Sequence, residues 1–444
     1  MSLKKIKGRK IKLERIWAGD IEAENWVQNF VMGGYYNGEN YFLFDKLDEF
    51  IEFMLSREKS NPVVYFHNLS YDGVFILEHL IRKNYYFSVV KNGSYIYQIK
   101  CRRRVDGKNW VYFRDSYILL RSGLNELGKI FLGEGKLEFD YESDFENRAK
   151  LEEYLKRDLY ILYNVLIKFF ETIDFINAIS LSSLSLTKFR MSLDNEIYYK
   201  INNKLDEFGR QFYFGSRVEV FRFYGENIYG YDVNSMYPYV MSNFEYPYGK
   251  CYFVSRRNIK RIGFYRVRLK FHYEQYIPFL FRKFGNGKLY FLNNDDVEDN
   301  IYYLNSYELD LLEEEGYYNY EIIDGVEFTH KGFIFRDYIN ELYSQRVRAK
   351  EQGNKILNYV LKLMLNSLYG KFGQTRKRKT YITEFQYTIM LQKIKSIEDE
   401  LVRLEKLQDF VSRTKYLGSG VYSYETDLYF SEYMNVYFLS LIHI

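Results

Sequence analysis

The feature that most constrains the fold is an alternation of strand-like and helix-like segments across residues 1–185. Short β-branched and aromatic runs alternate there with segments whose apolar residues recur every three to four positions. The predicted strands are Lys12–Ile21, Val27–Tyr36, Val63–His67, Tyr86–Lys91, Tyr95–Lys100 and Val111–Ser116. The predicted helices are Asp45–Ser56, Val74–Arg82, Leu124–Phe131 and Glu146–Thr172. This alternation favours an α/β domain.

The pattern changes in residues 186–444. A predicted strand at Asn227–Asp232 opens this second unit. Predicted helices at Phe335–Lys350 and Lys355–Tyr369 meet at a turn-like Glu-Gln-Gly-Asn sequence. Thr375–Gly420 has the character of an insertion, and apolar spacing among mixed charges predicts a surface hairpin helix over Leu391–Val411.

Composition excludes several broad classes. The 444 residues carry a formal net charge of +4, with 47% hydrophobic and 27% charged residues, as in an ordinary globular protein. No apolar run approaches the roughly 18 residues that span a bilayer, so we expect no membrane partner. Cys101 and Cys251 provide neither a disulfide framework nor a zinc-site spacing. Any metal must therefore be held by oxygen ligands.

Acidic residues stand at element ends in the first unit. Asp20 and Glu22 lie two apart at the end of a predicted strand, Asp72 follows the strand Val63–His67, and Asp158 lies on the long helix. Surface acids explain any one of these positions taken singly. Together they can converge at one sheet edge, where they would hold two divalent ions about 4 Å apart for phosphodiester hydrolysis.

The strings around these acids, D-x-E, N-x-x-x-D and Y-x-x-x-D in that order, resemble the motifs of the 3′–5′ proofreading exonuclease of DNA polymerases. The resemblance implies ligands for two Mg²⁺ or Mn²⁺ ions at Asp20, Glu22, Asp72 and Asp158. It implies that Tyr154 orients the attacking water and that Asn68 and Tyr71 grip the frayed 3′ strand. Ser122 resembles a serine that contacts single-stranded DNA, and Lys136 resembles a lysine near the scissile phosphate.

A further constellation lies in the second unit. The string GYDVNSMYPYV places Asp232 at a predicted strand end, followed by a turn at Ser235 and by the aromatic Tyr237. Backbone N–H groups exposed by such a turn can bind a triphosphate. A surface aspartate before a buried aromatic turn is the alternative reading of this stretch. Further on, one face of the predicted helix in KLMLNSLYGKFG carries Lys362, Asn366 and Tyr369.

These two stretches resemble motifs A and B of family B DNA polymerases. The resemblance implies that Asp232 is one of two catalytic metal ligands, again with two ions in the site, and that Tyr237 selects against ribose. It places Tyr369 beside the nascent pair and Lys362 on the triphosphate. The implied nucleotide-binding set is Ser235, Tyr237, Lys350, Lys362, Asn366 and Tyr369, with Arg346 as a helper.

Between the two halves, FYFGSRVEVF resembles the Y-x-G-G linker motif of protein-primed members, which lies along the template strand. Tyr213 and Gly215 match, whereas Ser216 stands where a second glycine is usual. The resemblance implies an α/β fold with an RNase H-like 3′–5′ exonuclease domain over 1–185 and a partial family B palm and fingers over 186–444, the thumb being absent. It implies insertions at 242–334 and about 375–420, with the fingers at about 335–374.

The third family motif, Y-x-D-T-D-S, supplies the other catalytic aspartate and has no clear match. The nearest string is YETDLYF, with Glu425 and Asp427. We expect the motif beyond residue 444, which would make the chain a fragment. The ending LSLIHI also resembles a translated sequencing adapter, so Leu439–Ile444 are suspected to be foreign. The alternative is that Glu425 and Asp427 form a divergent third motif.

Two function classes remain open. One is an enzyme, either a proofreading polymerase or a nuclease only, which acts on primer–template DNA, single-stranded DNA and dNTPs with a terminal protein as primer. The other is a non-catalytic DNA-binding or protein-docking remnant, against which the four intact carboxylates argue. The resemblance implies a cytosolic-type protein, either in the cytoplasm of a phage host or in a mitochondrion that carries a linear plasmid.

Overall fold

The computed structural model describes residues 2–24, 29–104, 106–215, 220, 222–271, 280–283, 289–291, 300–316, 318–374, 377–418, 420–427 and 437–438. Its first strands are β1 (Ser2–Leu3), β2 (Ile16–Glu24), β3 (Asn29–Tyr36), β4 (Tyr41–Phe44), β5 (Val63–Phe66), β6 (Tyr86–Asn92), β7 (Tyr95–Arg102) and β8 (Val111–Asp115). Its first helices are α1 (Leu47–Leu55), α2 (Leu69–Arg82), α3 (Tyr117–Leu120), α4 (Leu124–Phe131) and α5 (Arg148–Thr172).

The first unit is a seven-stranded sheet in the order β4-β3-β2-β5-β8-β7-β6. Strands β2, β5 and β8 run parallel at its centre, and the outer strands are antiparallel. Successive residues of β5 face opposite sides of the sheet. Val64 and Phe66 pack with α1 and α2, whereas Val63 and Tyr65 belong to the core beneath α5. The central strands therefore end at one sheet edge between two helical layers.

The second unit is built on a six-stranded sheet. This part of the chain contains seven strands among its described residues, five of which belong to that sheet: β9 (Ile197–Lys200), β10 (Tyr246–Val254), β11 (Gly263–Phe271), β12 (Arg282–Lys283), β13 (Leu289–Tyr290), β14 (Ile301–Asn305) and β15 (Tyr318–Gly332). Its helices are α6 (Leu181–Ser192), α7 (Asn203–Gly209), α8 (Met236–Asn243), α9 (Ser306–Glu315), α10 (Arg336–Glu351) and α11 (Lys355–Leu365). The strand order is β1-β9-β10-β15-β11-β14, so the amino-terminal strand joins this sheet, while β12 and β13 pair separately.

A third, three-stranded sheet follows. Its elements are β16 (Lys377–Thr383), α12 (Glu384–Lys395), α13 (Glu400–Arg413), β17 (Thr414–Gly418) and β18 (Val421–Asp427). Strand β18 lies between β16 and β17, and β16 lies beside β6, an edge strand of the first sheet. The Gln386 side chain is fully buried there and donates a 2.6 Å hydrogen bond to the Phe87 carbonyl.

The structure confirms most of the predicted elements of the first unit and corrects three in the remainder. Asn227–Asp232 forms no strand, and its apolar side chains are exposed, with Tyr231 at 94%. The predicted helix Lys355–Tyr369 ends at Leu365, and Tyr369 begins a separate 3-10 turn. The predicted hairpin helix Leu391–Val411 is two helices, because the segment between Lys395 and Glu400 breaks the hydrogen-bond ladder.

Candidate functional site

The acidic residues of the first unit come together at the carboxyl edge of the parallel strands. Asp20 and Glu22 lie on β2, Asp72 in the first turn of α2 directly after β5, and Asp158 on α5. Glu22, Asp72 and Asp158 are 7%, 3% and 4% exposed, which is rare for carboxylates unless they are paired or bind metal. The convergence predicted from their order along the chain is therefore observed.

A glycine on the neighbouring strand allows the helix to come this close. Gly34 on β3 is the register partner of Asp20. A Cβ atom at Gly34 would lie 2.7 Å from Cδ1 of Leu159, the residue after Asp158. Because glycine has no Cβ, α5 can approach the sheet until the Asp158 and Asp20 carboxylates interact.

Burial raises the pKa of every carboxyl in this acid cluster, defined as Asp20, Glu22, Asp72 and Asp158, and repulsion by neighbouring carboxylates raises those of Asp20, Glu22 and Asp72 further. Burial first and the Asp158 charge second raise the pKa of Asp20 to about 7. Burial, with Asp20 and Asp158 nearby, raises the pKa of Glu22 to about 9. Burial also raises the pKa of Asp72 and Asp158. Gathered anions of this kind require protons, cations or metal to compensate them.

Lys136 supplies one such cation. Its Nζ lies 2.6 Å from Oδ2 of Asp158, and its charge also lowers the pKa values of Asp20 and Glu22. Burial opposes the lysine's charge, but Asp158 and Asp20 outweigh it and raise the pKa of Lys136. The ammonium therefore lies among the acids and partly neutralises them.

The cluster has the donor chemistry of a divalent-metal site. Oδ1 of Asp72 and Oδ1 of Asp158 are buried and accept no hydrogen bond from the residues that the structure describes. Hard carboxylate oxygens without partners suit Mg²⁺ or Mn²⁺. Across the described ranges, no three His, Cys, Asp or Glu side chains are close enough to enclose one ion as they stand. Metal binding would therefore require the acids to draw together and Lys136 to move from Asp158.

Tyr154 lies at the rim of the acid cluster, one helical turn before Asp158. Its ring stacks on Phe139 at 4.5 Å between centroids, and the Lys136 Nζ lies 4.6 Å from its centroid. The Tyr141 hydroxyl is 3.4 Å from that of Tyr154 and also hydrogen-bonds Glu22. Sequence reasoning missed Tyr141, although it follows Lys136 in the same GKLEFDY string.

The turn that carries Asn68 and Tyr71 is held by β8. Asn68 has a left-handed backbone with φ of 76°, and its N–H donates to Oδ1 of the buried Asp115 at 3.0 Å. The side chains of Asn68 and Tyr71 are both exposed. The part of the Tyr71 side chain that is buried raises its pKa, and the nearby carboxylates of the acid cluster raise it further. Asp115 was not singled out from the sequence, although an acid at the end of a buried strand was a usable signal.

Two serines follow β8, and they have different surroundings. Ser116 is fully buried and donates to the Phe66 carbonyl, with His67 Nδ1 2.9 Å from its hydroxyl. Ser122 is half-buried, and the chain there contacts His67 and Tyr359 of α11. The exposed ring of Tyr117 packs edge-on against His67. Tyr117 was also missed, and exposure beside the Asn68 turn distinguishes it from the buried aromatic residues.

The second set of residues gathers where α8, α10 and α11 meet. Ser235 precedes α8 with φ of 53°, and its hydroxyl accepts a 3.4 Å hydrogen bond from Nη1 of Arg346. Nε of Arg346 donates to Oδ1 of Asn358 at 3.2 Å. Arg346 on α10 therefore connects the predicted triphosphate turn with α11. Asn358 had no signal in the sequence, because the pairing exists only once the two helices fold together.

Three tyrosines from distant segments also meet here. The rings of Tyr237 and Tyr369 stack with centroids 4.4 Å apart and an interplanar angle of 20°. Burial, followed by the proximity of Tyr237 and Tyr213, raises the pKa of Tyr369. The predicted linker, motif A and motif B residues are thus brought into one aromatic cluster.

Other predicted residues of this set lie at the surface. Asp232, Gly215, Lys350, Lys362 and Asn366 are exposed, and Asn366 is the carboxyl cap of α11 rather than part of its face. Glu425 lies on β18 opposite Lys379, with Oε1 3.8 Å from the lysine Nζ. Ser216 and Leu439–Ile444 lie outside the described residues.

The fold is similar to that of Phi29 DNA polymerase. Phi29 DNA polymerase complexed with primer–template DNA superposes with a TM-score of 0.69 at 23% identity, covering 83% of this chain and 69% of that one. An orthorhombic crystal form of Phi29 DNA polymerase gives a TM-score of 0.71 at 22% identity, over 96% of this chain and 76% of that one.

The sequence identifies the family. The model of DNA polymerase type B, organellar and viral, matches residues 54–152 and 145–416, and the chain belongs to this family. The DNA polymerase of Bacillus phage M2 is 30% identical over 383 residues, 78% of this chain and 65% of that protein. A probable DNA polymerase of Neurospora intermedia is 27% identical over 421 residues, 76% of this chain and 42% of that protein. The chain thus spans less than two thirds of these relatives' lengths.

None of the described helices has the length and apolar character needed to cross a membrane.

Proposed function

We propose that this chain carries the 3′–5′ exonuclease and part of the polymerase of a protein-primed family B DNA polymerase. The observation that carries the proposal is the acid cluster, whose buried carboxyls raise one another's pKa values and leave two oxygens without hydrogen-bond donors. Divalent ions would both neutralise the gathered negative charge and occupy the two oxygens that lack hydrogen-bond donors. Family B DNA polymerases generally use such ions. The arrangement favours an enzyme over a docking remnant, because buried acids such as Glu22, Asp72 and Asp158 destabilise a fold unless they have a ligand.

In the proposed exonuclease site the acid cluster holds two Mg²⁺ or Mn²⁺ ions. These ions would activate water and stabilise the leaving oxygen of a phosphodiester. Tyr154 orients the attacking water, and Lys136, released from Asp158, would face the scissile phosphate. Asn68 and Tyr71, beside the cluster on an exposed turn, would bind the frayed 3′ strand together with Ser122 and Tyr117.

In the proposed polymerase site Asp232 is one of the ligands of a second ion pair. The triphosphate would be bound by the Ser235 turn, Arg346, Lys350 and Lys362. The Tyr237 ring, fixed against Tyr369, would exclude a 2′-hydroxyl. Substituting Tyr237→Val is then expected to raise ribonucleotide use in an extension assay, through lost steric exclusion rather than lost binding.

The proposed partners are primer–template DNA, single-stranded DNA, dNTPs and a terminal protein that supplies the priming hydroxyl. Tyr213 and Gly215 would lie along the template. The segment Thr375–Gly420 would surround the template or separate the downstream duplex, which its position against β6 supports. The phage and fungal relatives support a location in a phage host or in a mitochondrion that carries a linear plasmid.

A labelled single strand incubated with Mg²⁺ tests the exonuclease assignment. We expect stepwise removal of 3′ nucleotides that stops with EDTA and falls about a thousandfold in Asp20→Asn and in Asp158→Asn, because each loses a metal ligand. Asp106→Asn is the control, since Asp106 lies on an exposed loop and pairs with Arg104. Metal-dependent cleavage that survives both cluster substitutions would refute the assignment.

Primer extension tests the polymerase assignment separately. If the second catalytic aspartate lies beyond residue 444, this chain is expected to excise without extending. Robust Mg²⁺-dependent extension that Asp427→Ala abolishes would instead support Glu425 and Asp427 as a divergent third motif. Extension that Asp427→Ala leaves unchanged would contradict both readings.

A further inference from the structure

Tyr359 on helix α11 of the second unit contacts the first unit, 239 residues earlier in the chain. Its hydroxyl donates a hydrogen bond to the carbonyl of Leu120, the last residue of α3. Its half-buried ring packs edge-on against Phe131 of α4, with centroids 6.0 Å apart. Burial raises the pKa of Tyr359, and the nearby Ser122 side chain opposes this rise by hydrogen bonding. The phenol therefore contacts the turn Leu120–Ser122 directly.

The turn Leu120–Ser122 depends on contacts from other segments. Arg121, at its middle, has a left-handed backbone with φ of 56°. A residue other than glycine keeps this conformation only where surrounding contacts hold it. His67, which follows β5, hydrogen-bonds the backbone of Ser122 at the end of the turn. Tyr359 holds the Leu120 carbonyl at its start. Residues of both units therefore fix the turn.

The turn lies beside the groups that would bind the 3′ strand. Tyr117 begins the helix that Leu120 ends, and its exposed ring packs edge-on against His67. His67 directly precedes Asn68 on the turn after β5. Burial first and the Lys136 charge second lower the pKa of His67 to about 4, so the acid cluster is also near. A displaced turn would move the strand contacts relative to the acids.

Helix α11 is a firm support for the Tyr359 hydroxyl. Asn354 caps the helix by accepting a hydrogen bond from the Leu357 N–H at 3.0 Å. Asn358, the residue before Tyr359, accepts a hydrogen bond from Nε of Arg346 at 3.2 Å. These contacts fix the helix on either side of its first turns and against α10. The phenol is therefore held in place before it meets the Leu120 carbonyl.

We infer that Tyr359 is a positioning residue for excision, whose hydroxyl holds the turn Leu120–Ser122 where Ser122 and Tyr117 contact the 3′ strand. The inference rests on the proposed exonuclease function and adds to it a residue of the second unit. Loss of the hydroxyl should weaken productive binding of a single strand, while the acid cluster still performs cleavage. A contact that only joins the two units would affect stability and leave strand binding unchanged.

Steady-state excision of a single-stranded oligonucleotide in Mg²⁺ separates these two roles. Tyr359→Phe keeps the ring on Phe131 and removes only the hydroxyl. We expect KM for the strand to rise about fivefold, the equivalent of one net hydrogen bond, with kcat within about twofold of wild type. Tyr307→Phe is the matched control, because the Tyr307 hydroxyl also donates to a backbone carbonyl, that of Glu245 at 3.2 Å, within the second unit.

A second genetic background tests whether Tyr359 acts through the turn. Ser122→Ala removes one of the proposed strand contacts. Tyr359→Phe should then raise KM by a smaller factor in the Ser122→Ala background than in the wild type, because two residues that serve one contact are not additive. Equal factors in the two backgrounds would show that Tyr359 acts independently of the turn, which overturns the inference.

A rise in KM confined to Tyr359→Phe, with similar melting temperatures for this variant and Tyr307→Phe, supports the inference. If the wild type excises and Tyr359→Phe keeps the wild-type KM, the inference fails and the proposed function stands. The same conclusion follows if KM rises equally in both variants, or if Tyr359→Phe lowers kcat alone. If the wild type does not excise in Mg²⁺, both the inference and the proposed exonuclease function fail.

Discussion

Nζ of Lys136 and Oδ2 of Asp158 are 2.6 Å apart, and this ion pair stands among four mutually repelling acids. The lysine compensates charge that divalent ions would otherwise neutralise. We therefore interpret Lys136 as the cation that compensates Asp158, and a divalent ion bound by Asp158 would displace the ammonium toward a phosphate.

Lys136→Met tests this interpretation. Without the cation, the buried Asp158 carboxyl loses its partner, which we expect to lower the free energy of unfolding in EDTA by about 1–3 kcal/mol. Excision in Mg²⁺ is expected to fall at least tenfold, because the phosphate loses a cation. Lys129→Met serves as the control, since Lys129 pairs with Glu126 at the exposed surface. Equal excision rates in the two variants would contradict the role.

The raised pKa values of Asp20, about 7, and Glu22, about 9, predict how stability depends on pH. The folded state binds these protons more tightly than the unfolded state, so their stabilising effect is complete below about pH 4 and is lost as pH rises through 7 and 9. In EDTA, the melting temperature of the wild type is expected to fall from pH 5 to pH 9 relative to that of the double variant Asp20→Asn, Glu22→Gln, whose replaced side chains do not titrate. A difference that stays constant with pH would contradict the prediction.

Divalent ions should reverse this trend. Since metal binds only the ionised carboxylates, the apparent affinity for a divalent ion, Mg²⁺ or Ca²⁺, is expected to rise with pH across the same interval. Titration calorimetry at pH 6 and pH 8 with Ca²⁺, which should support binding without rapid excision, measures the change. The prediction fails if affinity is equal at the two values, or if Asp20→Asn binds the ion as wild type does.

Gly34→Ala tests how closely α5 must approach the sheet. The added methyl would meet Leu159 at 2.7 Å and Leu43 at 3.0 Å, so we expect a loss of about 1–3 kcal/mol in unfolding free energy and slower excision. Gly332→Ala is the control, because its nearest neighbour would lie at an ordinary 3.5 Å. Wild-type excision by a stable Gly34→Ala chain would show that the helix position is not critical.

The Tyr237–Tyr369 stack is testable by a double-mutant cycle. Replacing each ring by leucine and then both is expected to give a coupling of about 1 kcal/mol in unfolding free energy. The stack would hold the Tyr237 ring in place for sugar discrimination. A coupling of zero within error would show that Tyr369 does not position Tyr237.

Gln386→Leu probes the contact between the third sheet and β6. The variant leaves the Phe87 carbonyl without its 2.6 Å donor, so protease cleavage between residues 377 and 427 is expected to accelerate. Gln392→Leu, at an exposed site on the same helix, controls for the substitution itself. Excision of a short single strand should be unchanged in both variants. Equal protease sensitivity of the two variants would argue against the contact.

Deletion of Thr375–Gly420 tests the function of this segment. In a polymerase-competent chain, the deletion should reduce strand displacement.

Local patterns predicted much of the first unit. Strand β5 and helix α4 lie within one residue of their expected bounds, because a buried apolar run and a clear amphipathic period are signals contained in the segment itself. The run Asn227–Asp232 has the same strand-like pattern and forms no strand. A strand needs a neighbour for its backbone hydrogen bonds, and no described residue pairs with this run.

The sequence by itself determined which groups could do the chemistry: four acids in order, a tyrosine one turn before the last of them, and an acid–turn–aromatic string in the second half. Tertiary structure alone decided that Gly34 lets Asp158 approach Asp20, that Lys136 pairs with Asp158, and that Arg346 pairs with Asn358 and Ser235. Spacing encodes faces of single helices and strands. Contacts between segments a hundred residues apart depend on how closely those faces pack, which no local pattern specifies.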